Sequence, residues 1–157
     1  MFSHPMLGPA NDRPGRPRVA AVLAGGCLLV MAFQAALTLG APFGAAAQGG
    51  ANSGQLPDPL RAVAGVQTAV WLLATALVLA RGGRSFIPVP KAVASVGTWV
   101  LVGLLGVGTL LNTASSSPWE RFGWAPFTLV MFVLALVLAR SGSASARPTR
   151  DVVRVDP

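Results

Sequence analysis

Residues 19–40 read VAAVLAGGCLLVMAFQAALTLG, a run without a single charged side chain. An α-helix needs about 20 apolar residues to cross the roughly 30 Å hydrocarbon core of a bilayer. Three further apolar stretches of similar length follow, at about 62–80, 92–111 and 119–139. The sequence therefore predicts an all-α integral membrane bundle of four antiparallel transmembrane helices, with residues 19–140 forming one transmembrane domain.

The distribution of basic residues predicts the orientation of this 157-residue chain, which is 53% hydrophobic and carries a net charge of +7. Ten basic residues flank the spans on one side of the predicted membrane and two on the other. The ten are Arg13, Arg16, Arg18, Arg81, Arg84, Lys91, Arg140, Arg147, Arg150 and Arg154, and the two are Arg61 and Arg121. Because basic loops remain cytoplasmic, we predict a multi-pass membrane protein with two cytoplasmic termini. The charge then faces membrane lipids, and we expect no nucleic-acid partner.

The two ends of the chain are predicted to be disordered cytoplasmic segments. Residues 1–18 contain four prolines, which a helix interior does not accommodate. Residues 141–157 are rich in Ser, Ala, Arg and Pro, a composition that cannot bury enough apolar surface to fold.

The first span has an alternative interpretation as a cleaved signal peptide. It has a basic flank, and Ala45-Ala46-Ala47 downstream is a candidate cleavage site. Signal-peptide cores contain about 7–15 apolar residues, fewer than this span, so retention of the span is favoured and cleavage stays open. Cys27 follows Gly25-Gly26 as in a lipoprotein signal, but the most hydrophobic stretch comes after it. A small core residue is therefore the favoured interpretation of Cys27.

The two connections on the outer side differ in composition. Residues 41–59 consist almost entirely of Gly, Ala, Asn, Ser, Gln and Pro, which predicts a flexible loop. Before the fourth span, Ser117-Pro118-Trp119-Glu120 matches a capping box, in which Ser117 accepts from the Glu120 amide and the Glu120 carboxylate bonds back to the Ser117 amide.

Aromatic residues and a proline follow this capping box. Trp119, Phe122 and Trp124 are predicted to lie at headgroup depth, where amphipathic rings anchor a helix. Pro126 removes one backbone hydrogen bond and is expected to kink the helix near Phe122.

The sequence offers few groups that could carry out chemistry. Its only histidine is His4 and its only cysteine is Cys27, and no ionisable residue lies deep in a predicted span. Proton relays and voltage sensors use such residues, metal and haem sites need several His, Cys or carboxylate ligands, and nucleophiles need an adjacent base. We therefore predict no catalytic residue, no cofactor and no metal, and we expect a protein that is not an enzyme.

Polar residues within the spans concentrate in the outer half of the predicted bundle. Gln34 and Gln67 each lie six residues inside the outer boundary, a depth of about 9 Å at 1.5 Å per residue. One interpretation is an interhelical polar pair that packs two helices together. The other is a shallow polar cavity that opens outward and takes a small solute or a lipid headgroup.

The segment from Asn112 to Phe127 resembles one found in small uncharacterised four-span membrane proteins of high-GC actinobacteria. The shared features are an Asn, a Ser-rich turn, a Glu-Arg pair, and a Trp and a Pro that enter the last helix. The matching positions are Asn112, Ser115, Ser117, Glu120, Arg121, Trp124 and Pro126. The resemblance implies a four-span layout in a bacterial plasma membrane and no particular activity.

The outer turn is therefore the candidate site for a lipid or a protein partner, formed by Asn112, Ser115, Ser117, Glu120, Arg121 and Trp124. Arg121 and the start of the fourth helix could hold a lipid phosphate, although Arg121 could equally extend to the headgroups without a specific role. We expect a non-enzymatic protein that interacts with lipid, with another envelope protein or with a second copy of itself. The alternative is a small transporter or channel subunit that uses an outer polar layer of Gln34, Gln67 and Asn112.

Overall fold

The computed structural model describes residues 16–84 and 88–141, so most of the predicted N-terminal arm and C-terminal tail lies outside the described residues. The described residues form helices and turns. The four helices are α1 (Pro17–Thr38), α2 (Asp58–Arg81), α3 (Lys91–Ala114) and α4 (Ala125–Ser141). A π-helical turn, Glu120–Trp124, runs directly into α4, and two 3₁₀ turns, Gly44–Ala46 and Gln48–Gly50, lie between α1 and α2.

Four segments are long and apolar enough to cross a membrane, which confirms the predicted all-α, four-span fold. They are α1, α2, α3 and the combined segment Glu120–Ser141. Their boundaries differ from the predicted ones by a few residues. The largest difference is at α2, which begins at Asp58, because Pro57 precedes the helix and Pro59 lies in its first turn, where a proline is favoured.

The helices run antiparallel and form a closed ring. α1 packs most extensively on α2 and α3 on α4, and the pairs α2–α3 and α1–α4 complete the ring. The end of the bundle that carries the start of α1 and the ends of α2 and α4 is the tightly packed end. There Gly82 lies so close to Ala20 that a side chain at 82 would collide with it. At the same end, Arg81 Nη2 donates to the Ala139 carbonyl at 2.9 Å.

The core occupies this tightly packed end and the middle of the bundle. Its fully buried members are small or aliphatic, and they include Ala20, Leu23, Cys27, Val78, Leu105, Ala135 and Leu138. The buried hydroxyls of Thr75 and Thr98 do not disturb this core, because each bonds within its own helix. Thr75 donates to the Trp71 carbonyl at 2.9 Å, and Thr98 to the Ala94 carbonyl at 2.7 Å.

The outer surface of the helices is apolar along most of its length. Its exposed large side chains include Val22, Leu29, Val66, Leu72, Leu73, Val96, Val100, Val107, Val130 and Val133. A soluble protein rarely exposes so large a contiguous apolar surface, whereas a bilayer accommodates it without cost.

The start of the fourth span combines a serine cap with a widened turn. The Glu120 amide donates to Ser117 Oγ at 3.3 Å, as the capping box predicts. The Ser117 amide donates to Ser115 Oγ at 3.0 Å instead of to the Glu120 carboxylate, so the reciprocal bond of the predicted capping box does not form. Where a kink was expected, the Ala125 amide bonds to the Glu120 carbonyl, five residues back. This i to i−5 hydrogen bond closes a π turn, and α4 continues from Ala125 although the next residue, Pro126, has no amide hydrogen.

Candidate functional site

The connection between α1 and α2, residues 41–57, folds over the end of the bundle and contacts the turn that precedes α4. We call this the loop end. Residues 41–59 were predicted to form a flexible loop, but part of this segment is packed in the structure. Its Ala47 and Leu56 are buried in a cluster with Leu37 and Ala64. Composition alone does not reveal such packing, because small residues suit both a mobile linker and a tightly packed turn.

Two side chains of the outer turn bond to the first 3₁₀ turn of this connection. Ser117 Oγ donates to the Ala45 carbonyl at 2.7 Å. The Trp124 indole nitrogen donates to the Ala46 carbonyl at 3.0 Å. Because both acceptors are backbone carbonyls, these bonds satisfy polar groups that the buried loop would otherwise leave unpaired.

Glu120 and Ser116 hold the second 3₁₀ turn. The Gly49 amide donates to Glu120 Oε1 at 3.0 Å, across 71 positions of sequence, and Ser116 Oγ donates to the Gly49 carbonyl at 3.3 Å. Glu120 is 7% exposed. Because its carboxylate accepts from Gly49, Glu120 connects the loop to the fourth span instead of completing the predicted capping box.

The loop reaches this position through a run of left-handed backbone. Gln48, Gly49 and Gly50 have φ angles of 55°, 81° and 73°. Glycine adopts this conformation without a steric penalty. A Cβ atom on Gly50 would also lie 2.6 Å from the Ser117 Cβ atom. The approach of the loop to the outer turn thus requires a glycine at this position.

Trp124 lies among aromatic side chains inside the loop end. Its ring centroid is 4.9 Å from that of Phe33 and 5.6 Å from that of Phe127. Trp119 and Phe122 are 66% and 76% exposed, as residues of an interfacial belt should be. Trp124 lies close to them in sequence but is half-buried, because its indole nitrogen and its ring both find partners inside the protein. Its predicted depth at the headgroups stays a prediction.

A cavity of about 700 Å³ lies beneath the loop, between the helices. Its polar lining includes Gln34, Gln48, Gln67, Asn112, Ser115, Ser116 and Glu120. Its apolar lining includes Val30, Phe33, Val70, Trp71, Leu104, Leu105, Leu111 and Trp124. A largely apolar cavity of several hundred Å³ with a few convergent polar groups is the usual form of a small-molecule site.

The structure brings Gln34 and Gln67 together with the outer turn. Both glutamines line the cavity, as do Asn112, Ser115, Glu120 and Trp124 of the predicted site. No hydrogen bond joins the two glutamine side chains within residues 16–84 and 88–141. Gln34 Oε1 is buried and has no hydrogen-bond partner in that part of the chain.

The remaining two predicted residues lie outside the cavity. Ser117 is buried beneath the loop, as described above. Arg121 is exposed, and its Nη2 donates to the Ser115 carbonyl at 2.7 Å, just beyond the last residue of α3. A cation at this position is stabilised by the negative, carboxyl-terminal end of the α3 dipole.

Sequence reasoning missed the loop residues Gln48 and Gly49 and the ring of Trp71 as parts of this site. The Gln48-Gly49-Gly50 sequence was the available signal for the loop residues, because consecutive glycines permit left-handed turns.

Among the described residues, no group of three or more His, Cys, Asp or Glu side chains could hold a metal ion. Comparisons of the chain with protein-family models, with curated proteins and with solved structures find no match.

Proposed function

We propose that this chain is a non-enzymatic, multi-pass protein of a bacterial plasma membrane that acts by binding a lipid or another envelope protein at its loop end. The observation that carries the proposal is the cavity roofed by the loop. Long-range hydrogen bonds hold the roof in place, and the walls combine amide groups with aromatic and aliphatic surface. Catalysis is not part of the proposal, because the sequence offers no pairing of a nucleophile with a histidine base.

The proposal places the loop end on the outer side of the membrane. The tightly packed end carries most of the basic residues of the described chain, namely Arg16, Arg18, Arg81, Arg84, Lys91 and Arg140. The loop end carries Arg61 and Arg121, and Arg61 is paired with Asp58 at 3.3 Å. Because the more basic side of a membrane protein stays cytoplasmic, this asymmetry supports a loop end that faces outward.

Native mass spectrometry of the protein released from bacterial membranes tests the lipid-binding form of the proposal. Gly108 lines the cavity, and a Cβ atom at this position meets no atom within 4 Å, so Gly108→Leu fills the cavity without a backbone collision. We expect the wild-type protein to retain a bound lipid and Gly108→Leu to lose it. Gly103→Leu is the matched control, because Gly103 lies in the same helix, has open space around it and is exposed.

A photo-activatable cross-linker at Ser116 tests the protein-binding form. Ser116 is exposed at the loop end, whereas Val96 is exposed on the apolar outer surface of α3. We expect a discrete cross-linked envelope protein from position 116 and none from position 96. If neither a retained lipid nor a position-specific cross-link is found, the proposed function is wrong.

Solute transport is the second candidate function, and it is favoured by one observation. Gln34, Gln67 and Asn112 line a single cavity, as a solute site in an outer polar layer would require. The core on the other side of Leu105 contains the fully buried Leu23, Val78 and Leu138, none of which lines the cavity. The double substitution Gln34→Leu and Gln67→Leu should abolish uptake by a transporter, whereas protein cross-linking at Ser116 should persist.

A further inference from the structure

We propose that the cavity binds an amphiphile whose head is an organic ammonium group and whose tail is an apolar chain. This inference rests on the proposed function, since it names the ligand class for the same loop-end cavity. Three properties of the lining carry it: the sign of its charge, its aromatic rings, and its apolar side chains.

The charge of the lining selects against anions. Among the described residues that line the cavity, Glu120 is the only ionisable one. The two arginines of the loop end do not line the cavity, and each already has a partner. Arg61 pairs with Asp58, and Arg121 donates to the Ser115 carbonyl. A phosphate or carboxylate in the cavity would therefore meet a negative charge and no cation, whereas an ammonium group would meet the carboxylate.

Glu120 has an oxygen available for such a head. Oε1 accepts the hydrogen bond from the Gly49 amide at 3.0 Å. Within the described part of the chain, Oε2 accepts no hydrogen bond, although the residue is only 7% exposed. Oε2 is not among the fully buried polar atoms of the described chain that lack a partner, so a cationic head in the cavity can reach it and pair with it.

Aromatic rings line the same cavity. Phe33 and Trp124 lie 4.9 Å apart between ring centroids with their planes inclined by 53°, and Trp71 contributes a third ring to the lining. Aromatic faces attract quaternary and primary ammonium groups, and tryptophan does so most strongly. The amide groups of Gln34, Gln67 and Asn112 add acceptors for the N–H groups of a primary ammonium.

The aliphatic part of the cavity lining suits a hydrocarbon tail rather than a compact ion. The aliphatic residues of the lining include Val30, Val70, Leu104, Leu105 and Leu111. The volume of about 700 Å³ exceeds what a bare ammonium ion needs and lies in the range of drug-sized ligands. A cationic head carried on a hydrocarbon tail therefore matches both halves of the cavity.

Intrinsic fluorescence can report binding, because two of the four tryptophans line the cavity. Substituting the exposed Trp99 and Trp119 by Phe leaves Trp71 and Trp124 as the reporters. We would place this full-length variant in nanodiscs of phosphatidylglycerol, a lipid without an ammonium group. Three amphiphiles with the same dodecyl tail would then be titrated: dodecyltrimethylammonium, dodecyl maltoside and dodecyl sulfate.

We expect a saturable fluorescence change with dodecyltrimethylammonium, at an affinity at least about tenfold higher than for the neutral or the anionic probe. Glu120→Gln should lower that affinity about tenfold, because it removes the charge while its amide oxygen can still accept from Gly49. Asp58→Asn is the matched control, since it removes an exposed carboxylate that does not line the cavity and should leave the affinity unchanged. Gly108→Leu should abolish the saturable change, and Gly103→Leu should preserve it.

Equal affinity for the three probes would overturn the inference, as would an unchanged affinity in Glu120→Gln. If those results coincide with a retained lipid or a cross-link at Ser116, only the ligand class is wrong and the proposed function stands. Nanodiscs that also contain phosphatidylethanolamine distinguish the sources of the ammonium head. Competition by that lipid would identify a membrane lipid as the ligand, and absence of competition would identify a free amphiphile.

Discussion

At the scale of single residues, a few side chains on the outer turn each connect two parts of the chain. Ser117 accepts from the Glu120 amide and donates to the Ala45 carbonyl, so one hydroxyl both caps the fourth span and holds the loop. Glu120 faces the cavity and also accepts from Gly49. Their local roles in a capping box were visible in the sequence, but their loop partners were not.

Replacing Ser117 with Ala should lower the free energy of unfolding by about 1–2 kcal/mol, because it removes a helix cap and leaves the Ala45 carbonyl without its donor. Thermal unfolding of the detergent-solubilised protein measures the change. Ser116→Ala is the control, since Ser116 is exposed and makes one longer bond of 3.3 Å, so its effect should stay within about 0.5 kcal/mol. Equal losses for the two variants would contradict the role assigned to Ser117.

Gly50→Ala should destabilise the protein more than Gly83→Ala does. Both glycines have nearly the same left-handed φ, 73° and 74°, so the conformational cost of about 1–2 kcal/mol is shared. At position 83 the added Cβ meets no atom within 4 Å, whereas at position 50 it would lie 2.6 Å from the Ser117 Cβ atom. The difference between the two unfolding midpoints therefore isolates the contact of the loop with the outer turn, and a difference of zero would mean that the loop is not packed there.

At the scale of elements, the π turn Glu120–Trp124 sets the rotation of the outer turn relative to α4. Pro126 has no amide hydrogen to donate to a carbonyl one turn earlier. The residue before it, Ala125, donates its amide hydrogen to the Glu120 carbonyl, five residues back. The widened turn accommodates one more residue than an α-helical turn. Residues before it are therefore rotated relative to a continuous α-helix, which determines where Glu120 meets the loop.

Deleting Gly123 should convert the π turn to an α turn and rotate Glu120 by about 100° relative to α4. The hydrogen bond from the Gly49 amide should then be lost. Amide hydrogen exchange at Gly49 would accelerate at least about tenfold, because a broken hydrogen bond no longer protects the amide.

Gly123→Ala keeps the number of residues and adds a methyl group where no atom lies within 4 Å, so Gly49 exchange should not change. Unchanged exchange in the deletion variant would show that the π turn does not position Glu120.

At the scale of the whole molecule, the bundle is closely packed at one end and contains a cavity at the other. Small and aliphatic residues fill the tightly packed end, whereas Gln34, Gln67 and Asn112 line the cavity beneath the loop. The basic residues lie mainly at the packed end. This asymmetry leads to a prediction of membrane orientation that single-cysteine labelling can test.

Cys27 is the only cysteine and is fully buried, so Cys27→Ala provides a background without cysteine. In that background we expect Ser116→Cys to react with a membrane-impermeant maleimide in intact cells. Arg84→Cys, exposed at the opposite end, should react only after the membrane is permeabilised. The reverse pattern would place the loop end in the cytoplasm and would contradict the orientation on which the proposed function depends.

The four spans were predictable from the sequence because crossing a bilayer depends on local properties, the length and apolarity of each segment. Ser117 as a helix cap was predictable for the same reason, since its partner lies three residues away. The role of Trp124 was not, because its contacts with Phe33 and Ala46 join positions about 80–90 apart. An aromatic residue near a span end suits a headgroup belt and an internal cluster equally well.

The amino-acid sequence by itself determined that this is a four-span, all-α membrane protein, since hydrophobic length and helical periodicity are properties of each segment alone. Only the tertiary structure decided that the connection between α1 and α2 folds back as a roof, that Glu120 bonds to Gly49, and that Gln34 and Gln67 share one cavity with Asn112. These features depend on how separate helices pack and rotate against one another. Many packings satisfy the same hydrophobic pattern, and the cavity exists in the one that the side chains together stabilise.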